Sequence, residues 1–377
     1  MAMAYERPAP EQEQDDGERR LKLLSMLKAE EEQALTYAEN EIIEQQIEAL
    51  QRYYGEKYGD EEDGRSQVTT REVLETIEWT RPDLMRVFAS GGNVVYLEET
   101  SKDDASFAQD AADYLQWIFF SDNSGFELLD DFAFDGLLHR RGYLACYWRD
   151  KEYCAPQKLT GLNIMQVVEL QQDPKVEILG QDFDQESGAG ITLIVRKVKY
   201  PGRVEIVSIA PEDMRLSGRT VTIDGARYVG RVNRMLAGEA ARLWPEMADE
   251  ILEYGGADRG NNSFTRAAED VRQERFRDDS NTWRGSGYGD GNGAAQEVEI
   301  LEEYIRVDLN DDGYPETIRA YRLGDLLLEE SEVEENPFGT WTPVRVPHRF
   351  MGLSMHDLVA DLQRRSTVLT RAALDAV

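Results

Sequence analysis

Apolar side chains early in the chain recur at steps of three and four. Leu21, Leu24, Leu27, Ala34, Ala38, Ile42, Ile43, Ile47 and Leu50 predict a helical segment from about Glu18 to Tyr54, either an arm or an antiparallel hairpin of helices packed on a neighbour. Residues 1–16, rich in Pro, Gln, Glu and Asp, read as disordered. The stretch YGDEEDGRSQ reads as the loop that ends the arm. Cap signals at Thr69 or Thr70 then open a helix, with Pro82 starting a second one. GGNVVYLEE reads as a turn and a strand. Two amphipathic helices follow, Asp103 to Phe120 and Gly125 to His139. Their aromatic faces (Phe107, Tyr114, Trp117, Phe119 and Phe120; Phe126, Phe132 and Phe134) are expected in the core.

GYLACYW alternates as a strand, and from about Ile164 to Val232 short Val- and Ile-rich runs separated by turn residues predict β structure. Ala237 to Tyr254 returns to a helical pattern, interrupted at Pro245. Residues 255–295, rich in Gly, Asn and Arg, read as a loop. EVEILEEYIRVDLNDDGYPETIRAYRL then alternates on both sides of VDLNDDGYPE, where Asp308, Asn310, Asp312 and Gly313 have the spacing that opens a calcium loop. Arg319 occupies the position of that loop's bidentate glutamate, Pro315 interrupts it, and the flanks read as strands. A β-hairpin turning at Asp312-Gly313 is the favoured reading.

Charge narrows the function classes. Lys and Arg total 42 against 74 Asp and Glu, a formal net charge of −32. A tight DNA binder needs clustered cations to replace phosphate counterions, and this composition opposes that. It suits solubility, a basic partner, or a surface that meets nucleic acid without holding it. No apolar run approaches the roughly 18 residues of a membrane span. Cys146 and Cys154 suit a reducing compartment and are expected as packed thiols. No phosphate loop, zinc helix or nucleophile elbow is present, and no cofactor or metal site is predicted. The Arg- and aromatic-bearing stretch with Arg272, Arg275, Phe276, Arg277 and Trp283 has the composition of a single-strand platform. Local Glu and Asp nearly cancel its charge, which favours a solvated loop or a protein contact.

The last stretch carries the most information. Ser354 and Asp357 form a capping pair, and a helix runs from Met355 with Leu358, Val359, Leu362, Leu369 and Ala373 on one face. Asp357, Asp361, Arg364, Arg371 and Asp375 make a second, polar stripe. No Gly or Pro stops this helix before Val377, so a longer protein is expected. The string from Pro347, His348, Arg349 and Phe350 through Gly352, Ser354, Asp357, Leu358, Val359, Asp361, Leu362 and Gln363 to Leu369, Arg371, Leu374 and Asp375 resembles the portal (head-to-tail connector) proteins of short-tailed bacteriophages. IEWTRPDLMRVFASGGNVVYLEE, FDGLLHRRGYLACYW, IVSIAPEDMRL and EEYIRVDLNDDGYPE fit in order. The resemblance covers about Ser66 to the end and leaves the acidic arm uncovered.

The resemblance implies an α+β portal fold with a helical wing, long stem helices and a β-rich clip. Its expected division is an acidic N-terminal helical arm (1–64), wing (65–230), first stem helix (231–254), clip (255–348) and second stem helix (349–377). It implies a non-enzymatic ring, a dodecamer, at one capsid vertex of the virion, assembled in the host cytoplasm. Double-stranded DNA would be packaged through the ring by the terminase large subunit and ejected through it without tight binding. Capsid, scaffolding and tail or adaptor proteins are the other implied partners, with no membrane insertion. On this reading Asp357, Asp361, Arg364, Arg371 and Asp375 face the channel, and Leu358, Leu362 and Leu369 pack between subunits. The segment with Arg272, Arg275, Phe276, Arg277 and Trp283 meets the motor or adaptor. The rival readings are an acidic virion scaffold or adaptor without a channel and a metal-dependent nuclease.

Overall fold

A computed structural model describes residues 10–89, 95–98, 105–150, 152–153, 157–173, 175–183, 191–200, 202–256, 263–277, 293–310 and 312–376. It is a mixed α+β chain in which every strand pair is antiparallel.

The N-terminal helix begins earlier than its apolar pattern suggests and does not fold back. Helix α1 (Pro10–Ala38), a π-helical turn (Glu39–Ile43) and α2 (Glu44–Tyr54) follow one another without a break in helical backbone. At about 1.5 Å per residue this rod is roughly 68 Å long. Gly55, at φ 73°, ends it, with its N–H donating to the Arg52 carbonyl and that of Glu56 donating to Gln51. Buried positions step by three or four through Leu23, Leu27, Glu30, Ala34 and Ala38. They take one stride of five to Ile43, across the π turn, then resume at Gln46 and Leu50. The expected packing on a neighbour is corrected, since Leu23, Leu27 and Ala34 are fully buried against Tyr228, Ile305, Ile318 and Ala320 of the same chain. Beyond the π turn, Ala49 and Leu50 join Val73, Ile77, Leu137 and Leu138 in a separate helical core.

Helix α3 (Glu72–Ala89) continues through Pro82, which does not start a new helix. Helix α4 (Ala105–Trp117), a second π turn (Ile118–Asp122) and α5 (Gly125–His139) follow. The expectation that their aromatics form core fails for Phe107, Tyr114, Trp117 and Phe126, all exposed. Helix α4 instead buries Ala108 and Ala112, and Tyr114 and Trp117 stack on each other with ring centroids 6.1 Å apart.

Strand β1 (Gly142–Arg149) stands at the centre of a three-stranded sheet whose edges are β6 (Arg203–Ile209) and β12 (Phe338–Trp341). Cys146 on β1 is exposed, contrary to the packed thiol expected; Cys154 lies outside the described residues. A small sheet gathers β2 (Glu152–Tyr153), β3 (Gln157–Leu162) and β4 (Val176–Phe183) around β5 (Ile191–Tyr200). Between β3 and β4 the chain forms α6 (Ile164–Gln172), a helix where the Val-rich pattern suggested β structure. The Asn163–Gln166 capping box supplies the start signal.

The largest sheet has the order β11 (Leu326–Val333), β10 (Glu316–Leu323), β9 (Glu297–Val307), β8 (Tyr228–Leu236) and β7 (Met214–Leu216). Residues 231–254, expected as one stem helix, contribute the end of β8 and then two short helices, α7 (Ala237–Leu243) and α8 (Ala248–Gly256), parted at Pro245. Within the supposed loop 255–295, residues Ser263–Phe276 form a helix, α9. The expected hairpin is present, with Val307 opposite Glu316 and Gly313 at φ 90°. Asp308 accepts from the N–H groups of Asp312 and Gly313, so its oxygens hold the turn. Among the described residues no helix is long and apolar enough to cross a membrane, and no group of three or more His, Cys, Asp and Glu is placed to hold a metal ion.

Candidate assembly site

The C-terminal helix α10 (Met355–Asp375) opens with the capping box that its sequence announced. Asp357 N donates to Ser354 Oγ at 3.1 Å, and Asp357 Oδ2 accepts from Ser354 N at 2.8 Å. The helix then turns inward a mixed side, on which His356, Gln363 and Thr367 are buried and Met355 and Val359 pack on the helical core. Gln363 is fully buried and bridges two elements, donating to the Arg52 carbonyl at 3.0 Å and accepting from Val73 N at 2.9 Å. Thr367, also buried, accepts from Thr70 N and lies 2.9 Å from the Thr70 hydroxyl. Gln363 and Thr367 are thus both partnered, as burial in a low dielectric demands. The helix is therefore sutured to the α2–α3 connection by hydrogen bonds.

The opposite face is apolar and bare. Leu358, Leu362 and Leu369 are 53%, 59% and 72% exposed. A row of leucines along some three turns of helix loses apolar burial worth about 25 cal/mol per Å² by standing in water. Contiguous patches of this kind mark protein contacts.

The five residues of the polar stripe lie on the flank between these faces, and most hold the chain's own N-terminal segment. Asp357 meets Arg140 through two hydrogen bonds. Arg371 donates to the Val68 carbonyl, to Asp60 at 2.8 Å and to Glu61 at 2.6 Å, and Asp375 accepts from Ser66 N at 2.6 Å. Arg364 lies 5.9 Å from the Tyr58 ring centroid, and Asp361 is exposed on the wall of a cleft shared with Glu48 and Asp60. Burial alone would raise the Asp357 carboxyl. The Arg140 guanidinium and the Ser354 donors outweigh it and hold the group below the usual carboxylate range.

The arginines proposed for an outside contact are distributed differently. On α9, Arg272 reaches both oxygens of Asp213, and Arg275 reaches Glu212 and Asp135. These pairs are largely buried and cement α9 to α5 and to the turn before β7. Burial pushes the Asp213 carboxyl up to about 6 against the pull of Arg234. Phe276 is 73% exposed, Arg277 covers the Tyr54 ring at 4.9 Å, and Trp283 lies outside the described residues.

Two buried histidines escaped the sequence reading. His139 ends α5, His356 begins α10, and neither ring nitrogen of either has a hydrogen-bond partner. Burial lowers both below the ordinary histidine value; for His139 the charges of Arg275 and His356 add to the effect. Each is therefore neutral at pH 7, at the seam where α10 meets the helical core.

A family model described as "Phage SU10 portal protein" matches residues 23–377. The chain belongs to the phage SU10 portal protein family. The match begins at residue 23, inside α1, so the family resemblance includes the helical segment that the sequence comparison from Ser66 left out. That extension agrees with the packing, because Leu23 and Leu27 are part of the portal chain's own core. No curated protein matches the chain. The family is a structural component of virions.

Proposed function

We propose that this chain assembles with copies of itself into a closed ring at a unique capsid vertex, through which double-stranded DNA is packaged and later ejected. The observation that carries the reading is the exposed leucine row of α10, on a helix whose other side is already fully engaged, in a chain of the portal family. In the ring, Leu358, Leu362 and Leu369 pack against the neighbouring subunit. The flank bearing Asp357, Asp361, Arg364, Arg371 and Asp375 turns toward the bore together with the loop it anchors, which adds Asp60, Glu61, Glu62 and Asp63.

With Asp357 paired to Arg140, Arg371 to Asp60 and Glu61, and Glu62 to Arg65, it is Asp361, Asp375 and Asp63 that outweigh Arg364 and set the sign of that surface. Charges within about a Debye length, ~8 Å, act strongly on passing phosphates. An acidic wall leaves no deep binding minimum, so DNA slides in either direction. In this scheme residues 65 to about 230 belong to the wing, α7, α8 and α10 lie toward the stem, and the strands from β9 onward lie toward the clip. Terminase, capsid, scaffolding and tail proteins dock on the outer surfaces, with Phe276 and Arg277 as one motor or adaptor contact.

Negative-stain microscopy with mass measurement of the purified protein tests the reading. A closed ring with a central hole is expected. A chain that stays a lone subunit across concentration and salt, with any residues beyond Val377 restored, refutes it.

A further inference from the structure

Many arginines in this acidic chain are engaged by its own carboxylates, as Arg140, Arg234, Arg272, Arg275, Arg322 and Arg371 show. Arg219 and Arg349 are not engaged in this way, and they share a cavity. Both are exposed, and among the described residues neither guanidinium meets a carboxylate at ion-pair distance. Yet they are 130 residues apart in sequence and line the same cavity of about 410 Å³, together with Tyr37, Glu41, Thr220 and His348.

The cavity walls are firmly built. Arg219 and Thr220 sit in a turn closed by Thr220 N donating to Ser217 O at 3.2 Å and by the Ser217 and Thr220 hydroxyls 2.8 Å apart. Gly218 in that turn lies against Tyr37, where an added Cβ would stand 3.0 Å from Cδ2 of the ring. On the other wall, Arg349 N donates to Val346 O across Pro347 and His348, and His348 holds φ 63°. A proline second and a positive φ third suit a turn whose third position normally takes glycine. A histidine kept in that strained conformation invites a functional explanation. Behind it, the Arg141 guanidinium stacks 3.7 Å from the Phe350 ring centroid and donates to the Phe350 carbonyl, fixing the base of the Arg349 wall.

Two arginines and a histidine on the lining of one concavity supply the donor types that suit the oxygens of a tetrahedral anion. We propose that this cavity is a phosphate-oxyanion site, with Arg219 and Arg349 as its cations and His348 as a third donor. The phosphate is either one group of a nucleic-acid backbone or free inorganic phosphate. Glu41, on the same lining, opposes the anion and gives the proposal a sign: removing its charge strengthens binding. The site is complete within one chain, so it stands or falls independently of ring formation.

The test uses the full chain and its R219Q/R349Q and E41Q variants, all changed at exposed positions, with unfolding temperature as the control for folding. Calorimetric titration with inorganic phosphate, and anisotropy of a labelled 20-base-pair duplex at several salt concentrations, are the two arms. Under the proposal R219Q/R349Q weakens phosphate binding at least tenfold and E41Q strengthens it severalfold. If the source is the nucleic-acid backbone, the duplex binds as well, and the double variant flattens the salt dependence by about two phosphate contacts. If only inorganic phosphate binds, free phosphate is the source. Binding of neither probe overturns the proposal, as does phosphate binding indifferent to all three substitutions. An E41Q variant without tighter binding, in a protein whose R219Q/R349Q form loses self-association instead, assigns the cavity to a carboxylate of a second copy and also overturns it.

Discussion

The Arg140 guanidinium holds the Asp357 carboxylate with two parallel hydrogen bonds, Nε to Oδ2 and Nη2 to Oδ1, each 2.8 Å. Asp357 simultaneously caps its own helix through Ser354, so one side chain starts α10 and fastens it to the end of α5. Asp357→Ala removes a cap worth about 1 kcal/mol and a charged, half-buried pair worth about 1.5–3 kcal/mol. A loss of about 3 kcal/mol in denaturant unfolding is expected. Because the folded-state carboxyl lies below its unfolded value, this contribution is complete above about pH 4 and fades as pH falls further. Stability of the variant equal to wild type at pH 7 would contradict the assignment.

His139 and His356 act at higher pH. Their folded values lie below the unfolded value of about 6.5, so they contribute stability above that pH and withdraw it as pH falls through the window beneath. Glu48 and Asp357 face His356 and limit its shift, while Arg52 and Arg140 enlarge it. Each histidine protonated only in the unfolded chain lowers stability by up to about 1.4 kcal/mol per pH unit. Unfolding temperatures between pH 7 and 5 should fall for wild type and flatten for His139→Met, and parallel curves would show that His139 does not titrate as described.

Gly352 lies in a close crossing of two chain segments. A Cβ there would stand 2.2 Å from the Val344 carbonyl oxygen and 2.5 Å from Thr342 Oγ1, beside the bridge that pairs Val344 with Leu353. Backbone cannot yield as a side-chain tip can. Gly352→Ala should cost at least about 2 kcal/mol, or abolish folding, as judged by the urea midpoint. A neutral substitution would mean that this crossing is looser than drawn.

Asp308 tests the hairpin. Losing its two backbone N–H contacts in Asp308→Ala should lower stability by about 1–2 kcal/mol. Millimolar calcium should leave the wild-type unfolding temperature unchanged, and a calcium-dependent rise would revive the cation reading of this loop.

Several of these features were legible in the sequence because they are local. The Ser354–Asp357 capping box and the hairpin around Gly313 each depend on residues within a few positions of one another. Long-range compensation was not legible. Arg272 and Arg275 looked like loop residues whose charge was cancelled by nearby Glu and Asp. Their actual partners, Asp213, Glu212 and Asp135, lie 59, 63 and 140 positions away. Helix α10 was read as two-faced, but Gln363 finds its partners at Arg52 and Val73, so the buried side is a third one, which neither the leucine row nor the polar stripe announced. Alanines 108 and 112 misled similarly, since small residues allow close approach and so displace the aromatics of α4 to the surface.

The leucine row yields a prediction that separates folding from assembly. Leu362→Glu changes an exposed position, so subunit stability should move by no more than about 0.5 kcal/mol. Ring particles seen by microscopy should disappear or fall sharply in number. Normal rings from a Leu362→Glu, Leu369→Glu protein would place the subunit contact elsewhere.

The π turn at Glu39–Ile43 sets the angular phase between two halves of one rod. Each residue advances a helix by about 100°. Winding the same residues as an ordinary α-helix would swing everything upstream round by about that angle. Leu23 and Leu27 would rotate off the strands they now cover while Leu50 stayed in place. Removing one residue from the turn would instead shorten the stride from Ala38 to Ile43 to four, which ordinary winding spans in phase, so relatives that retain both packings keep either the wide turn with its extra residue or neither.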